Sequence, residues 1–155
     1  MQPAPLNDFA SYPQPSWNTA GSIDAAIDKV IMAASQNEAT KAHEAVLDAL
    51  GNNHAGTYYP VALAVVPHLG FQVEWGGPWA QHAAVQALLD LTGSFEPERG
   101  HEVLGLPGAQ QQVHLRKELR AQVRLLLPVL RSLAEHGQPA SKGAQELIEL
   151  VDGEA

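Results

Sequence analysis

The chain has 155 residues, of which 45% are hydrophobic, and carries a formal net charge of −8. This length suits one domain that buries roughly 68–70% of the surface exposed by the unfolded chain, so folding requires no disulfide or structural metal. The sequence has no cysteine, which excludes disulfides, thiolate metal sites and cysteine nucleophiles and is typical of a reducing compartment.

The acidic residues are concentrated in the first three quarters of the chain. Residues 1–115 contain 11 acids and 3 bases, whereas residues 116–155 contain 6 of each. An acidic field disfavours nucleic acid and anionic membranes and accelerates encounter with a basic partner. The first residues lack the basic start and apolar run of a secretory signal, and no stretch approaches the ~18 apolar residues of a membrane span. We therefore expect a cytoplasmic protein.

Residues 1–21 predict an irregular N-terminal arm. The arm contains prolines at positions 3, 5, 13 and 15, and proline lacks a backbone N–H and fixes φ. Its aromatic residues Phe9, Tyr12 and Trp17 are expected to pack back onto the rest of the protein, because solvating three aromatic rings is unfavourable. Residues 22–155 are predicted to form a single helical repeat domain.

Apolar residues at helical spacing predict six helices in this domain. The first begins at the N-cap Ser22, the second spans about 39–50 and ends at Gly51, and the third spans about 61–73 with a kink at Pro67. The fourth covers about 79–91, the fifth about 109–136 with a kink near Pro128, and the sixth about 140–151. Segment 95–108 has glycines and prolines spaced too closely for a regular element.

An internal repeat with an offset of 61 residues relates residues 65–83 to residues 126–144 without a gap. Each copy combines a proline, a Gly-x-Pro turn and a second amphipathic helix, and such units must stack to bury their apolar faces. The predicted fold class is therefore all-α: a short right-handed α-solenoid, or a bundle, of about three stacked helical hairpins. The matched pairs are Pro67 and Pro128, Leu69 and Leu130, Glu74 and Glu135, Gly76 and Gly137, Pro78 and Pro139, and Ala83 and Ala144.

Residues 39–91, and more loosely the repeat from residue 126 onward, resemble a family of bacterial proteins with HEAT-like, armadillo-type helical repeats. The matching residues are His54, Gly56, Thr57 and Tyr59, followed by Val65, Val66, Pro67 and Leu69. Such repeats are similar to those of scaffolds and of immunity proteins that neutralise a toxin made by the same bacterium. The resemblance implies binding through a curved helical surface, and it implies that His54 bonds the backbone of its turn while Tyr59 packs between hairpins.

Catalytic motifs are missing from the sequence. It has no Gly-x-Ser-x-Gly, Gly-Lys-Ser/Thr or Gly-x-Gly-x-x-Gly motif. The pairs His43-Glu44 and His101-Glu102 begin like a zinc-protease motif, but neither has a second histidine four residues after the first. We expect no enzyme, cofactor or metal. A small metal-dependent hydrolase using these pairs, or a scattered site at His54, Tyr58 and Tyr59, remains an alternative.

Two further patterns allow two interpretations each. Arg116, Arg120, Arg124 and Arg131 share one helical face, which indicates either a phosphate-binding stripe or a solvated face paired with Glu118 and Glu135. Tryptophans at positions 75 and 79 flank a Gly-Gly-Pro turn, where they either anchor an interface or cap the seam between hairpins.

The function predicted from these observations is protein binding, by an immunity protein that neutralises a cognate basic toxin. The alternatives are an adaptor and a scaffold that assembles with itself. The predicted partner-binding residues lie on the second helix of the middle hairpin, on the turn before it and in the acidic loop: Trp75, Trp79, His82, Gln86, Asp90, Glu96, Glu98 and Glu102.

Overall fold

The secondary structure is mostly α-helical. A computed structural model of the protein describes residues 8–105, 112–136 and 138–153. Within these residues the helices are α1 (Ser22–Met32), α2 (Gln36–Leu50), α3 (Ala62–Trp75), α4 (Pro78–Thr92), α5 (Leu115–Arg124), α6 (Leu127–His136) and α7 (Ser141–Asp152). The strands are β1 (Thr57–Tyr58), β2 (Glu96–Pro97), β3 (Val103–Gly105) and β4 (Gln112–His114). The all-α prediction is confirmed at this level.

The helices pack in two layers. In one layer, α4 lies between α2 and α7, and in the other, α3 contacts α1 and packs closely on α5. Three pairs of consecutive helices join the layers: α1 with α2, α3 with α4, and α6 with α7. We call α2, α4 and α7 the second-helix layer and the remaining four helices the first-helix layer. The buried apolar residues between the layers form one continuous core.

Local sequence explains where the first helices begin and end. Ser35 is the N-cap of α2, because its hydroxyl accepts from the backbone N–H of Glu38. The Glu38 carboxylate in turn accepts from the N–H of Ala34, which ties the α1–α2 turn to the helix start. The predicted N-cap at Ser22 is wrong by one position: Ser22 is the first helical residue, and Gly21 caps α1 without a side-chain bond.

The two segments of the internal repeat are both helical hairpins, α3–α4 and α6–α7, but their prolines differ in position. Pro67 lies inside α3, whereas Pro128 is the second residue of α6. The predicted single fifth helix is therefore wrong, because α5 ends at Arg124 and a new helix begins at Leu127. Residues 112–114, also assigned to that helix, form β4. Its predicted start near residue 109 and the stop at Gly137 lie outside the described residues.

The loop after α4 contains regular structure that its composition did not predict. β2 pairs in parallel with β1, and β3 pairs antiparallel with β4. The β1–β2 pair joins the turn after α2 to the acidic loop, since Glu96 donates its N–H to the carbonyl of Gly56 and Glu98 to that of Tyr58. The prediction of an irregular segment at 95–108 is therefore wrong at residues 96–97 and 103–105, and residues 106–108 lie outside the described residues.

The described part of the arm, residues 8–21, contains turns without helix or strand. Phe9 is buried and its ring packs against His68, and Tyr12 packs against the core. Trp17 remains 55% exposed, although its indole N–H donates to the carbonyl of Asp48. Two of the three aromatic residues therefore pack as expected.

No helix in the described ranges is both long and apolar enough to cross a bilayer. The longest, α2 and α4, have 15 residues each.

Gly51, the C-cap of α2, provides a test of the packing of β1 against this helix. A Cβ at this position would lie 2.1 Å from the carbonyl oxygen of Thr57, a backbone atom that side-chain rotation cannot move. Gly51→Ala is expected to lower the free energy of unfolding by about 2 kcal/mol or more, as overpacked sites do. Urea denaturation followed by circular dichroism measures the change. Gly21→Ala is the control, because a Cβ there would meet nothing within 4 Å, and equal losses in both variants would contradict the contact.

Candidate functional site

Four of the predicted binding residues lie on one strip of α4. Trp79, His82, Gln86 and Asp90 recur at intervals of three or four residues, which places them on the same helical face. All four are half-buried, because α2 and α7 flank this face on either side. We call these four residues the α4 strip.

Asp90 connects the α4 strip to α2. Its carboxylate oxygen lies 2.6 Å from Nε2 of His43, in a contact that is only partly exposed. The bond joins neighbouring helices of the second-helix layer. Since both side chains engage each other, Asp90 is a structural residue of the strip as well as a surface carboxylate.

His82 lies in the middle of the strip in a partly desolvated environment. Burial lowers the pKa of His82, the nearby His43 lowers it further, and a hydrogen bond with the backbone of Pro139 acts in the opposite direction. Its Nδ1 is buried and has no hydrogen-bond partner among the described residues. The indole of Trp79 packs edge-on against the imidazole, with ring centroids 5.5 Å apart. These surroundings favour the neutral form of the histidine.

Gln86 lies where α7 approaches α4 most closely. A Cβ on Gly143 of α7 would fall 2.8 Å from the Gln86 amide nitrogen and 2.9 Å from a methyl carbon of Val85. Glycine at position 143 therefore allows the two helices to approach closely, and it leaves room for the Gln86 side chain beside them.

Trp75 and the acidic loop lie at opposite ends of α4. Trp75 is the last residue of α3 and is 51% exposed. The loop that begins with Phe95 follows the other end of α4, and a rise of 1.5 Å per residue makes a 15-residue helix about 22 Å long. The predicted binding residues therefore extend along the full length of α4 rather than forming one cluster.

The acids of the loop make contacts within the protein. Glu96 forms an exposed ion pair with Arg116, at 3.6 Å, and Glu98 accepts a hydrogen bond from the Thr57 hydroxyl. Glu102 is exposed, and backbone N–H groups, its own first and that of Gly100 next, lower its pKa. Glu98 is therefore partly structural, and Glu96 and Glu102 are the more accessible carboxylates.

The turn at residues 52–59 differs from what the family resemblance implied. Its backbone is held by Asn52, whose carbonyl accepts from the N–H groups of Gly56 and Thr57 and whose side chain accepts from Ala55. His54 is exposed and makes no hydrogen bond with the described residues, so the role expected for it is wrong. Tyr59 is half-buried between the rings of Trp17 and His101.

Sequence reasoning missed the burial of Tyr58. This side chain is fully buried, and its hydroxyl has no hydrogen-bond partner in the described structure. Burial raises the pKa of Tyr58 to about 12, although Arg116 and Arg120 act to lower it. The two adjacent tyrosines at the end of the turn could have indicated this burial. Side chains alternate along a strand, so one of two neighbouring residues points inward and the other outward.

Three arginine residues of α5 and α6 contact the ends of neighbouring elements. Arg120 donates to the carbonyl of Thr92 at the end of α4, and Arg124 donates to that of Val151 in α7. Arg131 forms a weak exposed ion pair with Asp152. These guanidinium groups connect α5 and α6 to α4 and α7 by supplying donors to carbonyls that helix ends leave without partners.

Charge is distributed unequally between the two layers. The three helices of the second-helix layer contain seven acids and two lysines, a net charge of −5. The four helices of the first-helix layer contain five acids and six bases, a net charge of +1. The acidic excess of the helices therefore lies on one face of the protein, the one that presents the α4 strip.

The histidine–glutamate pairs do not come together. His43 bonds Asp90, and the ring of His101 packs against Tyr59. Among the described residues, no group of three His, Asp or Glu side chains is arranged to hold a metal ion.

No protein-family model, curated protein or solved structure matches the chain significantly.

The neutral state of His82 predicts a pH dependence of stability. Because its pKa is lower in the folded protein, the unfolded chain binds more protons, and stability falls as the pH drops through the unfolded value of about 6.5. In His82→Gln this contribution is lost, so acidification from about pH 7.5 to about pH 5.5 should reduce the free energy of unfolding less than in the parent. Urea denaturation at both pH values provides the measurement, with His54→Gln as the control for losing an exposed imidazole. Parallel losses in parent and His82→Gln would refute the assignment.

Two substitutions of Tyr58 separate the contributions of its buried ring and of its hydroxyl to the free energy of unfolding. Tyr58→Phe removes a buried polar group without a partner, so it should leave the free energy of unfolding unchanged or raise it by up to about 1 kcal/mol. Tyr58→Ala should lower it by about 3–5 kcal/mol, because a large cavity remains. Chemical denaturation of both variants checks the pair of values. A substantial loss in Tyr58→Phe would mean that the hydroxyl has a partner.

Proposed function

We propose that this protein binds a basic protein partner through the second-helix layer, with the α4 strip at the centre of the contact. The observation that carries the proposal is the segregation of charge, a net −5 on the helices of this layer against +1 on those of the other. Complementary charge steers association and raises its rate, so a face of one sign favours partners of the opposite sign.

The α4 strip adds a half-buried centre to the charged contact surface. Trp79 is partly exposed and packed against His82, and tryptophan is enriched among the residues that contribute most to binding energy at interfaces. The carboxylates around the strip, among them Glu44 on α2 and Glu146 on α7, are exposed. A partly buried tryptophan with exposed charged residues on the neighbouring helices agrees with the aromatic enrichment and polar rim of protein interfaces.

The acidic loop after α4 contributes fewer residues to the proposed binding surface than the sequence predicted. Glu96 and Glu102 are exposed and extend the acidic face beyond the end of α4. Glu98 bonds Thr57, so its substitution would disturb the β1–β2 connection as well as any interface. Trp75 extends the contact at the opposite end of α4, where it is half exposed.

The biological role that fits this face is that of an immunity protein. A toxin that acts on nucleic acid needs a basic cleft, and an acidic face competes with phosphate for such a cleft. The resemblance of residues 39–91 to HEAT-like repeats of immunity proteins favours the same role. The proposed architecture is a short stack of three hairpins, which is supported by the contacts of α4 with both α2 and α7. An adaptor that binds a basic partner would use the same surface.

Charge reversal on the second-helix layer tests the proposal. Immobilised protein is used to capture partners from an extract of the host at low and moderate salt, and the affinity of the captured protein is then measured with purified components. Glu44→Lys combined with Glu146→Lys should weaken binding at least about tenfold and reduce its salt dependence, because both side chains are exposed carboxylates of this layer.

Asp28→Lys is the matched control, since Asp28 is an exposed carboxylate of α1 in the first-helix layer. It should retain affinity close to that of the parent. If the control and the double variant lose affinity equally, the acidic layer is not the binding face. If the captured protein is acidic or binds independently of salt, the proposal fails.

A further inference from the structure

A large concavity lined mainly by apolar residues lies among helices of the first-helix layer. It is a groove of about 890 Å³ between α3 and the α5–α6 junction. One wall is formed by Pro67, Phe71 and other residues of α3, and the other by Leu125, Leu126 and the first turn of α6. The proposed function does not use this groove.

The break between α5 and α6 opens the groove. Pro128 has no N–H to donate to the carbonyl of Arg124, so the chain leaves the axis of α5 and begins a new helix. As a result α3 packs closely on α5 but makes few contacts with α6. At the floor, Leu126 packs so tightly on Gly70 that a Cβ there would lie 2.9 Å from its methyl group.

A protruding leucine stands at the rim of the same groove. Leu125, in the break itself, is 80% exposed, the most exposed of the large apolar residues in the described structure. Exposed apolar surface beside an apolar groove marks an interaction site. A projecting side chain and a cavity on one patch are the two elements that a self-complementary, two-fold symmetric contact requires, because each copy supplies both.

We propose that this groove is the interface of a symmetric dimer, in which Leu125 of each copy enters the groove of the other. Electrostatics favour a second copy as the occupant. Two chains of net charge −8 repel each other, but contact through the first-helix layer joins faces whose helices have a net charge of +1. The two acidic second-helix layers then point away from each other, where repulsion is weakest.

Glu74 of α3 is the single charged residue among those that line the groove in the described structure. The groove is therefore almost uncharged, which limits the electrostatic cost of bringing two copies together at this surface.

Sedimentation velocity from low to high micromolar concentration measures the association of the full chain. The parent should show a reversible monomer–dimer equilibrium in this range. Leu125→Glu should raise the dissociation constant about hundredfold, because each of two symmetric sites loses about tenfold when a leucine is replaced by a charge in an apolar groove. Met32→Glu is the control, since Met32 is 76% exposed at the end of α1 and lies outside the groove. It should dimerise like the parent.

The lack of cysteine in the chain permits a geometric test. Leu125→Cys and Phe71→Cys, mixed and oxidised, should form a disulfide between the two variants, whereas Met32→Cys mixed with Phe71→Cys should not. Circular dichroism and thermal melting establish that each variant is folded. A parent that stays monomeric at all concentrations, or a dimer unaffected by Leu125→Glu, overturns the proposal. Neither result bears on partner binding by the acidic face, which Glu44→Lys with Glu146→Lys tests independently.

Discussion

The burial of α4 on three sides is the constraint on which the rest of the structure depends. α4 packs against α2, α3 and α7, and its sequence provides small residues for these contacts. Ala80, Ala83, Ala84 and Ala87 are at most 1% exposed, and short side chains allow neighbouring helices to approach closely. Only one narrow strip of the helix remains for polar side chains. The charged surface of this layer must therefore come mainly from α2 and α7, on either side of the strip.

The helical periodicity and turn residues of the sequence were sufficient to predict that the chain is mostly helical and where most of its helices lie. They were not sufficient to predict the strands, because two- and three-residue strands form only through contacts between distant segments. All of α3 and α4 lies between β1 and β2 in the sequence, and nothing local in residues 95–98 indicates that they pair with residues 56–58. Composition predicts where a chain turns, but it does not predict which distant segments then pair with each other.

The two repeat prolines show how the same residue acts differently in two contexts. Pro67 removes the bond that would reach the carbonyl of Leu63, yet α3 continues past it to Trp75. Pro128 would remove a bond to Arg124, in the middle of a helix of more than twenty residues. There the steric clash of the proline ring with the preceding turn ends one helix and starts another. The internal repeat correctly predicted a helix before and a helix after each turn, but it did not predict the break before Pro128, beside which the groove lies.

The candidate site was predictable only where it follows helical spacing. Trp79, His82, Gln86 and Asp90 share a face of one helix, and their spacing of three or four residues in the sequence predicts this. The loop acids have partners on other elements, such as Thr57 for Glu98, which spacing along the chain cannot indicate.

The distribution of charge is a consequence of the same geometry. Arginines of α5 donate to backbone carbonyls of α4 and α7, so much of the basic charge lies on helices of the first layer and helps to hold the two layers together. The exposed carboxylates of α2 and α7 have fewer cations beside them. One face is thereby acidic and well solvated, while the other combines near-neutral charge with an apolar groove. These two faces are suited to different contacts, a charged and salt-sensitive one and an apolar one, and each is possible without occupying the other.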